Sequence, residues 1–148
     1  MNAEVLKYLS VIGEATWQTL IMVFFSTMFS MILGIPLGIL LCTTDSASGL
    51  TPNKTVNQIL SVVINILRAI PFVILVILLF PFTRLVVHTA IGTKASIVPL
   101  TIAAAPFVAR VIESSLKEVD AGVIQAARAM GSNNKQIIFK VLLPEALP

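Results

Sequence analysis

Apolar side chains run through three stretches of this chain almost without charge, and a fourth stretch mixes them with charge at helical spacing. No residue from Ala15 to Thr44 is charged, Arg68 is the sole charge from Thr55 to Phe82, and Ala95 to Ala109 again carries none. About 20 apolar helical residues cross the ~30 Å hydrocarbon layer of a bilayer. The pattern therefore predicts membrane-spanning helices over 16–42, 58–82 and 96–116. The third run is short, and needs Lys94 and Arg110 to reach their charged ends toward the two interfaces. A water-soluble helical core would need polar residues recurring on its outer faces; whole stretches here lack them.

After the third run the character changes. Residues 117–143 carry Lys117, Glu118, Asp120, Arg128, Lys135 and Lys140. Two short helical patterns meet at Gly131. Asp120 is placed to cap the first, Gly131 to end it in a left-handed conformation, and Ser132 to cap the second. In that second helix Ile137, Ile138, Val141 and Leu142 recur at helical spacing. Lys and Arg are more numerous in this segment and the 43–57 connection than in the other polar parts, which places both on the cytoplasmic side and the N-terminus outside. The chain reads as one transmembrane domain over 1–148, and because apolar character resumes at Leu147-Pro148, further spans are expected beyond it.

Composition agrees with the pattern. The chain is 57% hydrophobic and 11% charged, outside the range of soluble domains. A cleaved signal peptide does not fit, since the first apolar run is too long and Glu4, Lys7 and Glu14 do not make a basic flank. The net charge of +3 sits at the ends of apolar runs, with no basic stripe interleaved with aromatics, so nucleic acid is not an expected partner. Tyr8 and Trp17 suit an interfacial belt against membrane lipid. Cys42 is the one cysteine and His88 the one histidine, so a metal site is not expected and Cys42 reads as packing. His-Glu-x-x-His, Gly-x-Ser-x-Gly and the Gly-rich Lys-Ser/Thr phosphate loop are all absent. If ATP drives this protein, another chain binds it, and no cofactor is expected here.

Two features inside the apolar runs have two readings each. Gly34-Ile-Pro-Leu-Gly38 is either a kinked, close-packing surface or ordinary small-residue packing within one subunit. Arg68-Ala-Ile-Pro71 puts a guanidinium in an apolar helix, at a cost of at least ~2.5 kcal/mol at the bilayer centre. Arg68 and Pro71 thus form a gate or pathway element, or the helix enters the membrane later and Arg68 reaches back to the interface.

The most specific pattern is Gln125-Ala126-Ala127, three residues, Gly131, nine residues, then Val141-Leu142-Leu143-Pro144. It resembles the cytoplasmic-loop motif of ABC importer permeases: Glu-Ala-Ala, three residues, Gly, nine residues, Ile, any residue, Leu-Pro. Gln125 stands for the Glu and Val141 for the Ile. Asn65-Ile-Leu-Arg-Ala-Ile-Pro-Phe72, Phe80-Pro-Phe-Thr-Arg84, Ile97-Val-Pro-Leu-Thr101, Ala104-Ala-Pro-Phe-Val-Ala-Arg110 and Lys140 to Pro148 extend the likeness to the permeases of methionine importers.

The resemblance implies an all-α, polytopic membrane helix bundle of the type I importer permease fold, here about three spans plus a cytoplasmic coupling segment over 117–143. It implies that Gln125, Ala126, Ala127, Met130 and Gly131 dock on an ATP-binding subunit at the cytoplasmic face, the small alanines allowing close approach. Val141, Leu143 and Pro144 would set the angle at which the chain returns to the membrane, since proline disfavours helix at the residue before it. A homodimer, an extracytoplasmic substrate-binding protein and methionine as the substrate follow from the same likeness. Another amino acid remains an alternative substrate, marked by carboxylates or several arginines in the spans. A non-transporting membrane scaffold is the alternative of another class, and has no use for the Gly131 motif at its spacing.

Overall fold

A computed structural model describes residues 3–47 and 49–146, with side chains from Tyr8 onward. Leu147 and Pro148, which end the last of the family-like segments, lie outside the described residues. The elements are α1 (Ala3–Thr44), α2 (Lys54–Ala69), α3 (Phe72–Val87), α4 (Thr93–Lys117), α5 (Ala121–Ala129), α6 (Asn134–Ile137), a π-helical turn (Ile138–Leu142) and α7 (Leu143–Glu145). No strand occurs among the described residues.

The helices run a few residues past the expected bounds at most ends, and two departures from the hydropathy pattern are larger. α1 starts thirteen residues before Thr16, because residues 3–15 contain no proline and the hydrogen-bonded ladder continues through polar sequence as readily as through apolar. Pro36 stays inside it. The expected helix over 58–82 is two helices, broken at Ile70 and Pro71. Proline has no N–H to continue a helix and pushes the residue before it out of the helical region. Pro71 itself is extended (φ −55°, ψ 134°) and becomes the N-cap of α3, its carbonyl accepting from the N–H groups of Ile74 and Leu75 at 2.9 and 3.1 Å. Two helices, Tyr8–Thr44 within α1 and Thr93–Lys117, are each long and apolar enough to cross a membrane, and α2 with α3 pass that test only together, as a bent pair that is either a broken span or a re-entrant loop.

The chain divides into two compact units. In the first, residues 1–31 and 70–104, Leu75 and Thr83 of α3 and Ala95 of α4 are buried, and the Thr93 hydroxyl donates to Gln18 Oε1 at 3.1 Å. Two hydroxyls in these apolar helices bond back to their own turn: Ser26 of α1 donates to the Met22 carbonyl at 2.6 Å, and Thr101 of α4 donates to the Ile97 carbonyl at 2.8 Å. Such local bonding removes the penalty of an unpaired hydroxyl in hydrocarbon.

In the second unit, residues 32–69 and 105–148, the close contact of α1 with α4 depends on Gly34 and Gly38. A Cβ at 34 would stand 2.6 Å from Val108 Cβ, and one at 38 would stand 2.7 Å from the Ala109 carbonyl oxygen. The Gly-Pro-Gly stretch is therefore a packing surface within one chain. Next to it Leu41, Ile64 and Ala109 are buried together, bordered by Leu37 and Leu60. Outer faces are apolar here too: Ile59, Ile66 and Phe107 are more than half exposed. Lipid suits such surfaces and water does not.

Candidate coupling site

Residues 117–146, all in the second unit, form a compact knob. Asp120 caps α5 as expected, its carboxylate accepting from the Gly122 N–H. α5 ends at Gly131, in the left-handed region (φ 82°). There the Gly131 N–H donates to Arg128 at 2.9 Å and the Ser132 N–H to Ala127 at 3.1 Å. This paired arrangement satisfies the last carbonyls of the helix. The expected cap of the next helix is displaced by one residue. Asn133, not Ser132, is its N-cap, and Gln136 reciprocates in a capping box, with both bonds at 2.9 Å. Ser132 is occupied by its backbone in closing α5, so the following residue is the first free to cap.

The alanine pair divides. Ala127 is 2% exposed, packed with Cys42, Leu50, Leu116, Ile137 and Leu142 in a small core that Val141 and Leu143 border. Ala126 faces outward, as do Gln125, Met130 and Gly131. Of the two alanines expected to present a docking face, only Ala126 is exposed; Ala127 instead lets α5 sit close on the core. Met130 is 80% exposed and Phe139 65%, so the outer surface of the knob carries two large apolar side chains among its charged and amide groups.

Pro144 does not break the chain's helical path. Leu143 before it is helical (φ −66°, ψ −47°), contrary to the expectation that it would turn the chain. The strain is taken upstream, where 138–142 widens into a π turn and the Leu143 N–H reaches back five residues to the Ile138 carbonyl. A proline ring clashes with the carbonyl four residues earlier, here that of Lys140, and a locally widened helix relieves that clash.

Above the core lies a half-open cavity of about 360 Å³, lined by Cys42, Gly49, Leu50, Lys117, Gln125 and Arg128 among others. Ala47, Gly49 and Leu50, in the connection after α1, line one side of it. Beside it stands a charged cluster that hydropathy did not reveal. Glu113 of α4 is 7% exposed. Its carboxylate accepts from Arg110 Nη1 at 2.7 Å and Lys117 Nζ at 2.9 Å. Lys117 also donates to Asp45 at 2.8 Å, and Arg110 Nη2 to Asn65 Oδ1 of α2 at 3.0 Å. The spacing Arg110, Glu113, Lys117 was the available signal, since residues three and four apart share a helix face. Arg68, by contrast, is exposed in the last turn of α2, where a cation suits the helix C-terminus. It does not sit in the middle of a continuous apolar helix. Pro71 is the break itself. Among the described residues no group of three or more metal-binding side chains occurs.

Residues 34–148 match the family described as binding-protein-dependent transport system inner membrane component. The chain belongs to that family. Over 136 residues this permease is 51% identical to the D-methionine transport system permease protein MetI of Yersinia pestis, covering 92% of this chain and 62% of that protein. It is 48% identical over 146 residues to the protein of the same name from Salmonella typhi, covering 99% and 66%. A chain of the MetNI methionine ABC transporter, solved in inward facing conformations, superposes with a TM-score of 0.93 at 44% identity, over all of this chain and 67% of that one. The chain thus spans a little under two thirds of the length of these curated relatives. Its fold is the type I ABC importer permease fold, and it is a multi-pass protein of the bacterial cytoplasmic membrane.

Proposed function

We propose that this permease forms the membrane path of an ABC importer that carries methionine inward, driven by ATP hydrolysis on a separate ATP-binding subunit. The observation that carries the reading is the knob itself. Gly131, Asp120 and the Asn133–Gln136 box hold two short helices at a fixed angle, with Gln125, Ala126, Met130 and Gly131 outward. An ATP-binding partner that grips this surface can pull on α4 through the backbone, and on the Asp45–Asn53 connection through the core around Leu50. Opening and closing of a path between spans is the consequence. Gln125 offers an amide where the family motif has a carboxylate, so its contact with the partner is a hydrogen bond rather than an ion pair. A second copy of the permease would complete the path, and a binding protein outside would deliver the substrate. The names of the relatives support methionine; the side chains of this chain do not single it out chemically.

The test is Gly131→Asp in the protein as its gene encodes it, co-expressed with its ATP-binding subunit and reconstituted in liposomes. A charged side chain at φ 82° in the outward face is expected to abolish methionine-dependent ATP hydrolysis and uptake while the permease still inserts in the membrane. Unchanged association with the ATPase and unchanged uptake would overturn the coupling role and revive the scaffold reading.

A further inference from the structure

Four charged side chains in the second unit, two cations and two anions, form one connected set. Glu113 is its centre, buried, with one carboxylate oxygen on Arg110 and the other on Lys117. Lys117 carries the connection on to Asp45 in the loop after α1. Arg110 carries it to α2 through Asn65 Oδ1 at 3.0 Å and the Ser61 carbonyl at 3.5 Å. Asn57 of α2 in turn donates to the Leu41 carbonyl of α1 at 2.8 Å, closing the set against the end of α1. Below it, Asn134 of the knob donates to the Leu50 carbonyl in the same loop at 3.4 Å.

Buried charge is retained only where it is paired and hydrogen-bonded, and here the pairing joins three separate pieces of chain. A lone hydrophobic contact lets helices slide; directed bonds from one carboxylate to two cations fix both distance and rotation. We propose that Glu113 is a positioning residue, the pin of a charge clasp that makes α4, α2 and the Asp45–Asn53 loop move as one body when the knob is displaced. The inference rests on the importer reading and adds to it the route by which displacement of residues 121–146 reaches α2, which has no backbone connection to the knob short of α4. The clasp stays closed through the transport cycle, so it transmits motion and does not switch.

Two variants test it in the full-length permease reconstituted with its ATP-binding subunit, using radiolabelled methionine and reading molecules moved per ATP hydrolysed. Glu113→Gln keeps the shape and one hydrogen bond but loses the charge that holds both cations. It is expected to lower that ratio by about 2- to 30-fold, with membrane insertion and ATPase co-purification unchanged, and Glu113→Asp is expected to recover part of it. In a Cys42→Ala background, Asp45→Cys with Lys117→Cys is expected to be uncoupled, and to regain coupling when a short bis-methanethiosulfonate joins the two thiols. That rescue is outside the reach of a residue that merely supports folding. A normal ratio in Glu113→Gln, or a cross-link that blocks transport, overturns the clasp. If Glu113→Gln does not accumulate in the membrane, the cross-linked pair decides. Gly131→Asp is run alongside: loss with Gly131→Asp and none with the clasp variants sinks the clasp alone, whereas no loss with Gly131→Asp sinks the importer reading and the clasp with it.

Discussion

Gly38→Ala and Gly13→Ala are the same chemical change in the same helix, and the structure assigns them different outcomes. A methyl at 13 meets nothing within 4 Å, whereas one at 38 meets the Ala109 carbonyl oxygen and Ile112 Cβ, each at 2.7 Å. Comfortable contact is about 3.5–4.0 Å, so α1 and α4 must part by about 1 Å at Gly38. Neither neighbour can yield easily, one being backbone and the other the branch point of a helical side chain. Both variants gain about 1 kcal/mol from replacing glycine in a helix. Only Gly38→Ala meets overpacking, which destabilises by about 1–3 kcal/mol. Gly13→Ala should therefore be neutral to stabilising, and Gly38→Ala should lie about 1–3 kcal/mol below it, or about 2–12 °C in melting temperature for a chain of this size. Cys42, 8% exposed, reports the transition: in detergent micelles its thiol reacts with a fluorogenic maleimide as the second unit opens. Equal shifts of the same sign in the two variants would refute the packing assignment. A lower melting temperature for Gly13→Ala than for Gly38→Ala would refute it more strongly.

The two alanines of the motif should separate by phenotype. Ala127→Leu, at a position 2% exposed, is expected to destabilise the knob by about 1–3 kcal/mol through overpacking, seen as faster proteolysis of residues 117–146. Ala126→Leu should leave that rate unchanged and weaken co-purification with the ATP-binding subunit; the reverse pattern would mean that α5 is rotated from the orientation described. For the second short helix, Asn133→Ala is expected to cost about 0.5–2 kcal/mol through loss of the cap, and Ser132→Ala to cost almost nothing. Amide hydrogen exchange at Gln136 is the measurement, and equal protection loss in both variants would disprove the capping assignment.

Hydropathy alone determined that the chain is a membrane protein. Runs as uncharged as 15–44 have no stable place in water whatever their neighbours, so solvent decides before any tertiary contact does. The knob was legible for a similar reason: the Asp120 carboxylate and Gly131 act on the backbone within a few residues, and the spacing of Gln125-Ala126-Ala127 and Gly131 to Leu143-Pro144 carried the family likeness. Where local rules competed, sequence was a weaker guide. Pro36 and Pro81 remain inside helices while Pro71 ends one, although all three lack the same N–H, so the missing donor alone does not say which of them breaks a helix. At Pro144 the clash is absorbed by a π turn upstream, a solution available because Ile137 and Leu142 are both anchored in the small core. Ser132 and Asn133 are both good caps, and the choice fell to whichever had a free backbone. The Ala126–Ala127 pair looks symmetrical in the motif, yet one side chain faces inward because adjacent residues on a helix point about 100° apart. Least legible was the Glu113 clasp. Its helical spacing is visible in the chain, but Asp45 and Asn65 are distant in sequence, and only the close approach of α1 and α4 at two glycines, with α2 packed beside them, brings those partners within hydrogen-bonding reach.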